Sequence, residues 1–423
     1  MPHDEIFLHS CVVKTFDGEN VIIRISEIDH DTNAITPKLK IIKNPKRSFY
    51  VTKPKFRTHK FKKEVAPLTE LDRYDCYNYE LPQKLSEVLG VYSKRNDIRA
   101  LCKSPYVYGA DIKIEALIKM RFLNKYGLNR LKLRTGFLDI ETSIENKNII
   151  LISYTHENKV YTAIAKQYMF ETDANGNRVP FDLNEVMRVA KIEYKKYINQ
   201  YGFTFELFES TNEMDLIKWI MARIFENKTD FIGIWNMNFD IPYIINRIKA
   251  HGLNPKDIFV HPEVPNDCRT FYYRQDNSKV SHMTLKWHWL TAPGYSQFID
   301  SMGLFSQCRR TSKFRTSYTL DSVLKDYIDT GKKTLGDEGS HYVMQTQRFK
   351  EYILYNMFDV IGLQLLEWKN QDMTQMVIYS GETPVGSFSY RTVVTTNKLY
   401  NALMKKGMIP SSVSYEDPLK FIA

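Results

Sequence analysis

The chain has 423 residues, 43% of them hydrophobic, and 59 Lys or Arg against 49 Asp or Glu give it a net charge of +10. That length accommodates two or three domains with a good core, and the apolar content is ordinary for a globular protein. No apolar run approaches the ~20 residues of a membrane span, Met1-Pro2-His3-Asp4-Glu5 lacks the basic and apolar regions of a signal peptide, and five scattered cysteines (Cys11, Cys76, Cys102, Cys268, Cys308) with no C-x-x-C pair read as reduced thiols of a cytosolic protein.

Residues 1–130 read as a mixed α+β N-terminal domain that opens with β-rich segments, Glu5–Val13 and Val21–Ile25. Within it, Lys38 to Lys63 carries eleven Lys or Arg and no Asp or Glu, so this window nets +11 and the rest of the chain nets −1. Phe49, Tyr50, Phe56 and Phe61 are interleaved with the charges. Basic side chains would neutralise phosphates and aromatic rings would stack on bases. A solvated strand face with core aromatics fits the same pattern. Ser48–Val51 reads as a strand, which would put Phe49 and Val51 on one face and Tyr50 on the other.

Residues 131–372 alternate strand and helix, an α/β pattern. Strands are predicted at Thr135–Ile140, Ile149–Tyr154 and Val160–Ala165, with a turn at Asn175-Gly176-Asn177. Glu213–Asn227 reads as an amphipathic helix with Leu216, Ile217, Ile220 and Ile224 on one side. Thr270–Arg274 and Val280–Leu285 flank a polar turn and read as a β-hairpin. His282 and His288 near it are a poor metal signature, and the chain has no Cys/His cluster arguing for zinc. Residues 373–423 include a helical stretch, Thr396–Lys406, closed by Gly407 and followed by Pro410.

Three segments carry the chemistry. Asp139 and Glu141 sit at i and i+2 of a strand-like run and project from one face. Alone, that pair also fits a strand running into a solvated loop. Asp240 follows the apolar run Phe231–Trp235 and starts a helix, where a carboxylate also suits the helix dipole. Tyr355 and Asp359 are i and i+4 of a helical stretch and share a face. Four carboxylates converging on one spot repel one another, so such a cluster requires divalent cations between them.

The order D-x-E, N-x-x-F-D, Y-x-x-x-D resembles the DEDDy 3′–5′ exonucleases. More narrowly, it is similar to the proofreading domain of family B DNA polymerases, the tailed-phage branch in particular. Trp235–Arg247 (WNMNFDIPYIINR), Ser317–Tyr327 (SYTLDSVLKDY) and Arg348–Val360 (RFKEYILYNMFDV) also read like that branch, as does Tyr390–Pro410 leading into Ser411. The resemblance runs from roughly residue 70 to the C-terminus. One departure is that Asn236 stands one residue closer to Phe239-Asp240 than is usual in tailed-phage relatives, a spacing similar to bacterial proofreading subunits. It leaves open which of Asn236 and Asn238 meets the substrate.

The resemblance implies a ribonuclease H-like exonuclease domain, a mixed central sheet flanked by helices, over residues 131–372. It implies a basic N-terminal domain contacting nucleic acid, to which residues 373–423 return. It implies 3′–5′ removal of nucleotides from DNA with two divalent ions, Mg²⁺ or Mn²⁺, about 4 Å apart. On that pattern Asp139 bridges both ions, Glu141 and Asp359 complete the first, Asp240 holds the second, and Tyr355 orients the attacking water together with Glu141. The hairpin near Arg274 would help separate a primer end from its template. Candidate DNA contacts are Asn236, Phe239, Arg274, Lys53, Lys55 and Arg57. Phe239 itself reads as a core anchor for its turn in preference to a stacking surface.

The D-x-x-S-L-Y-P and Y-G-D-T-D strings of a polymerase palm do not occur in the sequence. The expectation is therefore either the exonuclease half of a split phage polymerase or a fragment of a longer one, the split protein being favoured, in the cytoplasm of an infected bacterial host. Its partners would be single-stranded and primer-template DNA, a second chain carrying the palm, docked through the tail Tyr415–Ala423, and a sliding clamp through that chain, with no membrane. A stand-alone nuclease of the same chemistry and a non-catalytic scaffold are the competing readings. The basic domain and the hairpin favour the first reading, and the presence of all four carboxylates and the tyrosine argues against the scaffold.

Overall fold

The computed structural model describes residues 3–91, 97–127, 131–278, 286–309, 315, 317–328 and 341–411. The chain forms two compact units. One comprises Met1–Arg130, Asn266–Cys268 and Val377–Ala423, the other Leu131–Pro265 and Arg269–Met376. Among the described residues, no helix is long and apolar enough to cross a membrane.

The first unit opens with an antiparallel meander of long strands, His3–Thr15, Gly18–Asp29 and Ile35–Lys43. Gly18 closes the first turn at φ +144°, a backbone setting that other residues rarely adopt. The Lys46–Thr52 strand then pairs on one side with Leu71–Tyr77 and on the other with Val107–Tyr108. Its side chains alternate as the sequence predicts, but both faces are buried. Phe49 and Val51 pack in one apolar cluster and Tyr50 in another, with Tyr108, Ile112 and Tyr400. A two-stranded ribbon joins Val65–Pro67 to Met408–Pro410, after the Arg391–Met404 helix, which begins five residues before the predicted start at Thr396.

The second unit is built on an eight-stranded mixed sheet. In spatial order its strands are Thr204–Ser210, Lys159–Ala165, Ile149–His156, Thr135–Thr142, Phe231–Ile234, Gln297–Asp300, Trp289–Thr291 and Tyr272–Arg274. The Thr135, Phe231 and Gln297 strands run parallel at its centre. Parallel strands buried on both faces need near-continuous apolar sequence, and Phe231-Ile232-Gly233-Ile234 is fully buried. Gly233 is required by space, because a Cβ there would lie 2.4 Å from the Phe137 ring and 2.2 Å from Ser301 Oγ. The Glu213–Asn227 helix has the predicted bounds and buries Leu216, Ile217, Ile220 and Ile224. The 22-residue Phe349–Asn370 helix crosses the sheet, burying most of its length.

The turn at Asn175–Asn177 joins two short paired strands, Phe170–Thr172 and Arg178–Pro180. The strand expected at Thr270–Arg274 is Tyr272–Arg274, and its antiparallel partner is Trp289–Thr291. The expected second arm, Val280–Leu285, lies outside the described residues, as do His282 and the tail Tyr415–Ala423.

Candidate active site

Asp139 and Glu141 stand near the C-terminal end of the Thr135–Thr142 strand, opposite Ser153 and Leu151 of its antiparallel neighbour. Alternation buries Leu138 and Ile140 and turns the two carboxylates to the other face. The Phe349–Asn370 helix brings Asp359 to the same place. Asp139, Glu141 and Asp359 each offer an oxygen, and these oxygens lie within 4.8 Å of one another.

Asp240 joins them from the first turn of the Met237–Ala250 helix, which follows the Phe231–Ile234 strand after two residues. Its backbone N–H donates to the Asn236 carbonyl at 3.2 Å. The Asp240 carboxyl is 3% exposed, and burial first, then the nearby charges of Glu141 and Asp359, hold its pKa well above the usual carboxylate range. Four carboxylates so placed are electrostatically incomplete on their own. All are hard oxygen donors, a set suited to divalent cations such as Mg²⁺ or Mn²⁺.

The surrounding side chains hold this cluster in place. Asn356, fully buried on the same helix as Asp359, donates from Nδ2 to Asp139 Oδ2 at 2.7 Å. The Tyr352 hydroxyl donates to Glu141 Oε2 at 2.5 Å and meets His341 Nδ1 at 3.0 Å. Tyr355 is half-buried, its ring stacked on that of Tyr352 with centroids 6.1 Å apart and met edge-on by His341. Sequence reasoning missed Tyr352, Asn356, His341 and Gln345. The first two were findable, since Tyr352, Tyr355, Asn356 and Asp359 fall at i, i+3, i+4 and i+7 and form one polar stripe. His341 and Gln345 come from a separate helix, His341–Thr346, and no spacing announces them.

Asp300 is another buried carboxylate, with burial pushing its pKa up to about 7. It accepts the Gly303 N–H at 2.9 Å and caps the Ser301–Cys308 helix.

The remaining candidate contacts divide. Asn236 is exposed, whereas Asn238 is half-buried, its Oδ1 accepting the Tyr273 hydroxyl at 3.3 Å. The core reading of Phe239 is wrong. Its ring is 48% exposed, resting on Tyr243 with centroids 5.6 Å apart, because the helix turns this position outward while Asp240 points in. Arg274 is half-buried on the edge strand of the sheet.

The basic window is less open than its composition implies. Phe49 and Tyr50 are core residues and unavailable for stacking. Arg47 is buried on the carbonyls of Gly109 and Ala110. Lys38, Lys40 and Lys63 pair with Glu27, Glu5 and Glu70. Arg57 donates to the Thr52 carbonyl and lies over the Tyr106 ring, and Lys53 donates to the Thr69 carbonyl at 2.8 Å. Lys55 is exposed over Phe56, and Phe61 is 86% exposed.

No curated protein matches the chain. The family described as "DNA polymerase family B, exonuclease domain" matches residues 111–323. Asp139, Glu141 and Asp240 lie within that span, and Tyr355 and Asp359 follow it. With half of its length matched, the chain belongs to the family B DNA polymerase exonuclease domains.

Proposed function

We propose that this chain is a 3′–5′ exodeoxyribonuclease of ribonuclease H-like fold, the proofreading part of a phage replicative family B polymerase whose palm lies on another chain. The observation that carries the reading is the convergence of the Asp139, Glu141 and Asp359 oxygens within 4.8 Å, with buried Asp240 beside them. Family membership supports a nuclease, and retention of every carboxylate supports an active one.

Asp139, Glu141 and Asp359 would hold one divalent ion, and Asp139 with Asp240 a second. Such ions, Mg²⁺ or Mn²⁺, supply the lowered water pKa and the charge stabilisation of the leaving 3′-oxygen that phosphodiester hydrolysis needs. The protein supplies the rest. Asn356 keeps Asp139 in one rotamer. Tyr355 and Glu141 orient the attacking water. Asn236 and the exposed Phe239–Tyr243 pair would grip and stack the terminal nucleotide, an aromatic contact worth about 1–3 kcal/mol per base. Lys53, Lys55, Arg57 and Arg274 would attract the DNA backbone. Partners on this reading are single-stranded and primer-template DNA, a palm-bearing chain and, through it, a sliding clamp, in the cytoplasm of an infected bacterial host.

The test is polarity and substrate. With Mg²⁺, a 5′-labelled single-stranded DNA should shorten progressively from its 3′ end, and the same oligonucleotide as RNA should be degraded far more slowly. Internal cleavage, or faster loss of RNA, would point to a different nuclease. Absence of cleavage under both metals would move weight to a scaffold.

A further inference from the structure

We propose that Tyr352 is a positioning residue of the carboxylate cluster: its hydroxyl, held from behind by His341 and Gln345, fixes the rotamer of Glu141 and commits Glu141 Oε2 to the protein. The proposal rests on the reading of Glu141 as a cation ligand given above.

Tyr352 is 1% exposed and sits one turn before Asn356 and two before Asp359 on the same helix. Its hydroxyl touches three groups: Glu141 Oε2 at 2.5 Å, His341 Nδ1 at 3.0 Å and Gln345 Nε2 at 3.5 Å. A phenol has one proton and two lone pairs, and an ionised carboxylate can only accept. Gln345 Nε2 can only donate. The single proton therefore goes to Glu141, and His341 must carry its own proton on Nδ1.

The ring cannot swing away. It stacks on Tyr355 and is flanked by Phe349 and His341. Gln345 is anchored in turn, Nε2 donating to the Thr142 carbonyl at 2.7 Å and Oε1 accepting the Ile144 N–H at 3.0 Å. The residues that follow Glu141 are thus tied through Gln345 to the His341–Thr346 helix, which backs the Tyr352 hydroxyl. A glutamate left to itself would spread over several rotamers. With Oε2 engaged by Tyr352, Oε1 would be the Glu141 oxygen left to a cation. Hydrogen bonds of this kind behind a metal ligand typically change metal affinity or activity by about 10–100-fold.

The experiment titrates Mn²⁺ into the full chain without DNA, followed by electron paramagnetic resonance, and measures steady-state degradation of a 5′-labelled single-stranded DNA. Wild type, Tyr352→Phe and Asp139→Ala are compared. Tyr352→Phe should weaken Mn²⁺ binding and lower kcat by about 10–100-fold, with KM for DNA and the melting temperature unchanged. Wild-type Mn²⁺ affinity and kcat in Tyr352→Phe overturn the proposal. A wild type that binds no Mn²⁺, or an Asp139→Ala that binds it normally, overturns the cation-site reading itself and this proposal with it. If Tyr352→Phe does not fold, His341→Phe takes its place, since the His341 side chain is 54% exposed. A several-fold loss of Mn²⁺ affinity is then expected, and wild-type behaviour overturns the proposal.

Discussion

Arg247 grips Glu213 with two nitrogens, Nε at 2.9 and 3.0 Å from the two carboxylate oxygens and Nη2 at 2.7 Å from Oε2. Glu213 also accepts the Ile149 N–H at 2.6 Å and meets His251 at 3.0 Å. One carboxylate thus ties the helix that carries Asp240 to the strand beside Asp139. A bidentate pair of this kind is costly to break from one side, because the partner charge stays behind in a mostly buried place. Arg247→Met should destabilise the second unit by about 2–4 kcal/mol, read by denaturant unfolding, and should lower kcat more than it raises KM.

Asp240→Asn should make the metal-free protein more stable and inactive. A carboxyl whose folded pKa is raised contributes its stability below the unfolded value and loses it as pH climbs through the folded one. The asparagine has no such loss, so the stability gap between variant and wild type should widen with pH from about 4 upward. In thermal melts with chelator present, each kcal/mol recovered corresponds to roughly 2–4 °C. Added Mg²⁺ should stabilise the wild type more than the variant, which keeps Asp139, Glu141 and Asp359 but loses the fourth carboxylate. A variant no more stable than wild type at pH 8 would mean that Asp240 suffers no such repulsion.

Gly233→Ala tests the close packing of the central strands. The new Cβ would meet the Phe137 ring, two residues from Asp139, and Ser301 Oγ. Overpacking of this kind costs about 1–3 kcal/mol. Both unfolding free energy and cleavage rate should fall. An unchanged rate would mean that the strand carrying Asp139 absorbs the shift.

Lys119 gives the first unit a pH dependence of its own. Its ammonium is fully buried, donates to the Thr383 carbonyl at 2.9 Å and lies 5.8 Å from the Phe7 ring, and burial pulls its pKa down to about 7. The unfolded chain holds that proton up to about 10.4. Between those values the unfolded state binds more protons, so stability rises with pH by up to ~1.4 kcal/mol per pH unit, and below about 7 it levels off at its lowest. Lys119→Met should flatten that slope. Hydrogen exchange of the Ile114–Tyr126 helix between pH 7 and 9, corrected for intrinsic rates, reads it directly.

Where local pattern was strong, the sequence was legible. The i, i+2 placement of Asp139 and Glu141, the i, i+4 placement of Tyr355 and Asp359 and the bounds of the Glu213 helix follow from periodicity alone. What stayed hidden depends on partners far along the chain. The charges of Lys38, Lys40 and Lys63 look free in sequence because Glu27, Glu5 and Glu70 lie outside their window. Phe239 looked like core because its flanks are apolar, yet the helix begins at Met237 and turns that position to solvent. Tyr352 and Asn356 were visible as a stripe but are steering groups, whose purpose appears only once Glu141 and Asp139 are found against them.

The central claim is that four carboxylates form a cation-dependent cleavage centre, and Asp139→Ala tests it most directly. The isolated chain is incubated with 5′-labelled single-stranded DNA and Mg²⁺ or Mn²⁺, with a chelator control and the variant alongside. The account predicts a metal-dependent ladder shortening from the 3′ end, abolished by Asp139→Ala while single-strand binding persists. Normal cleavage by Asp139→Ala, or cleavage that continues in chelator, would contradict it.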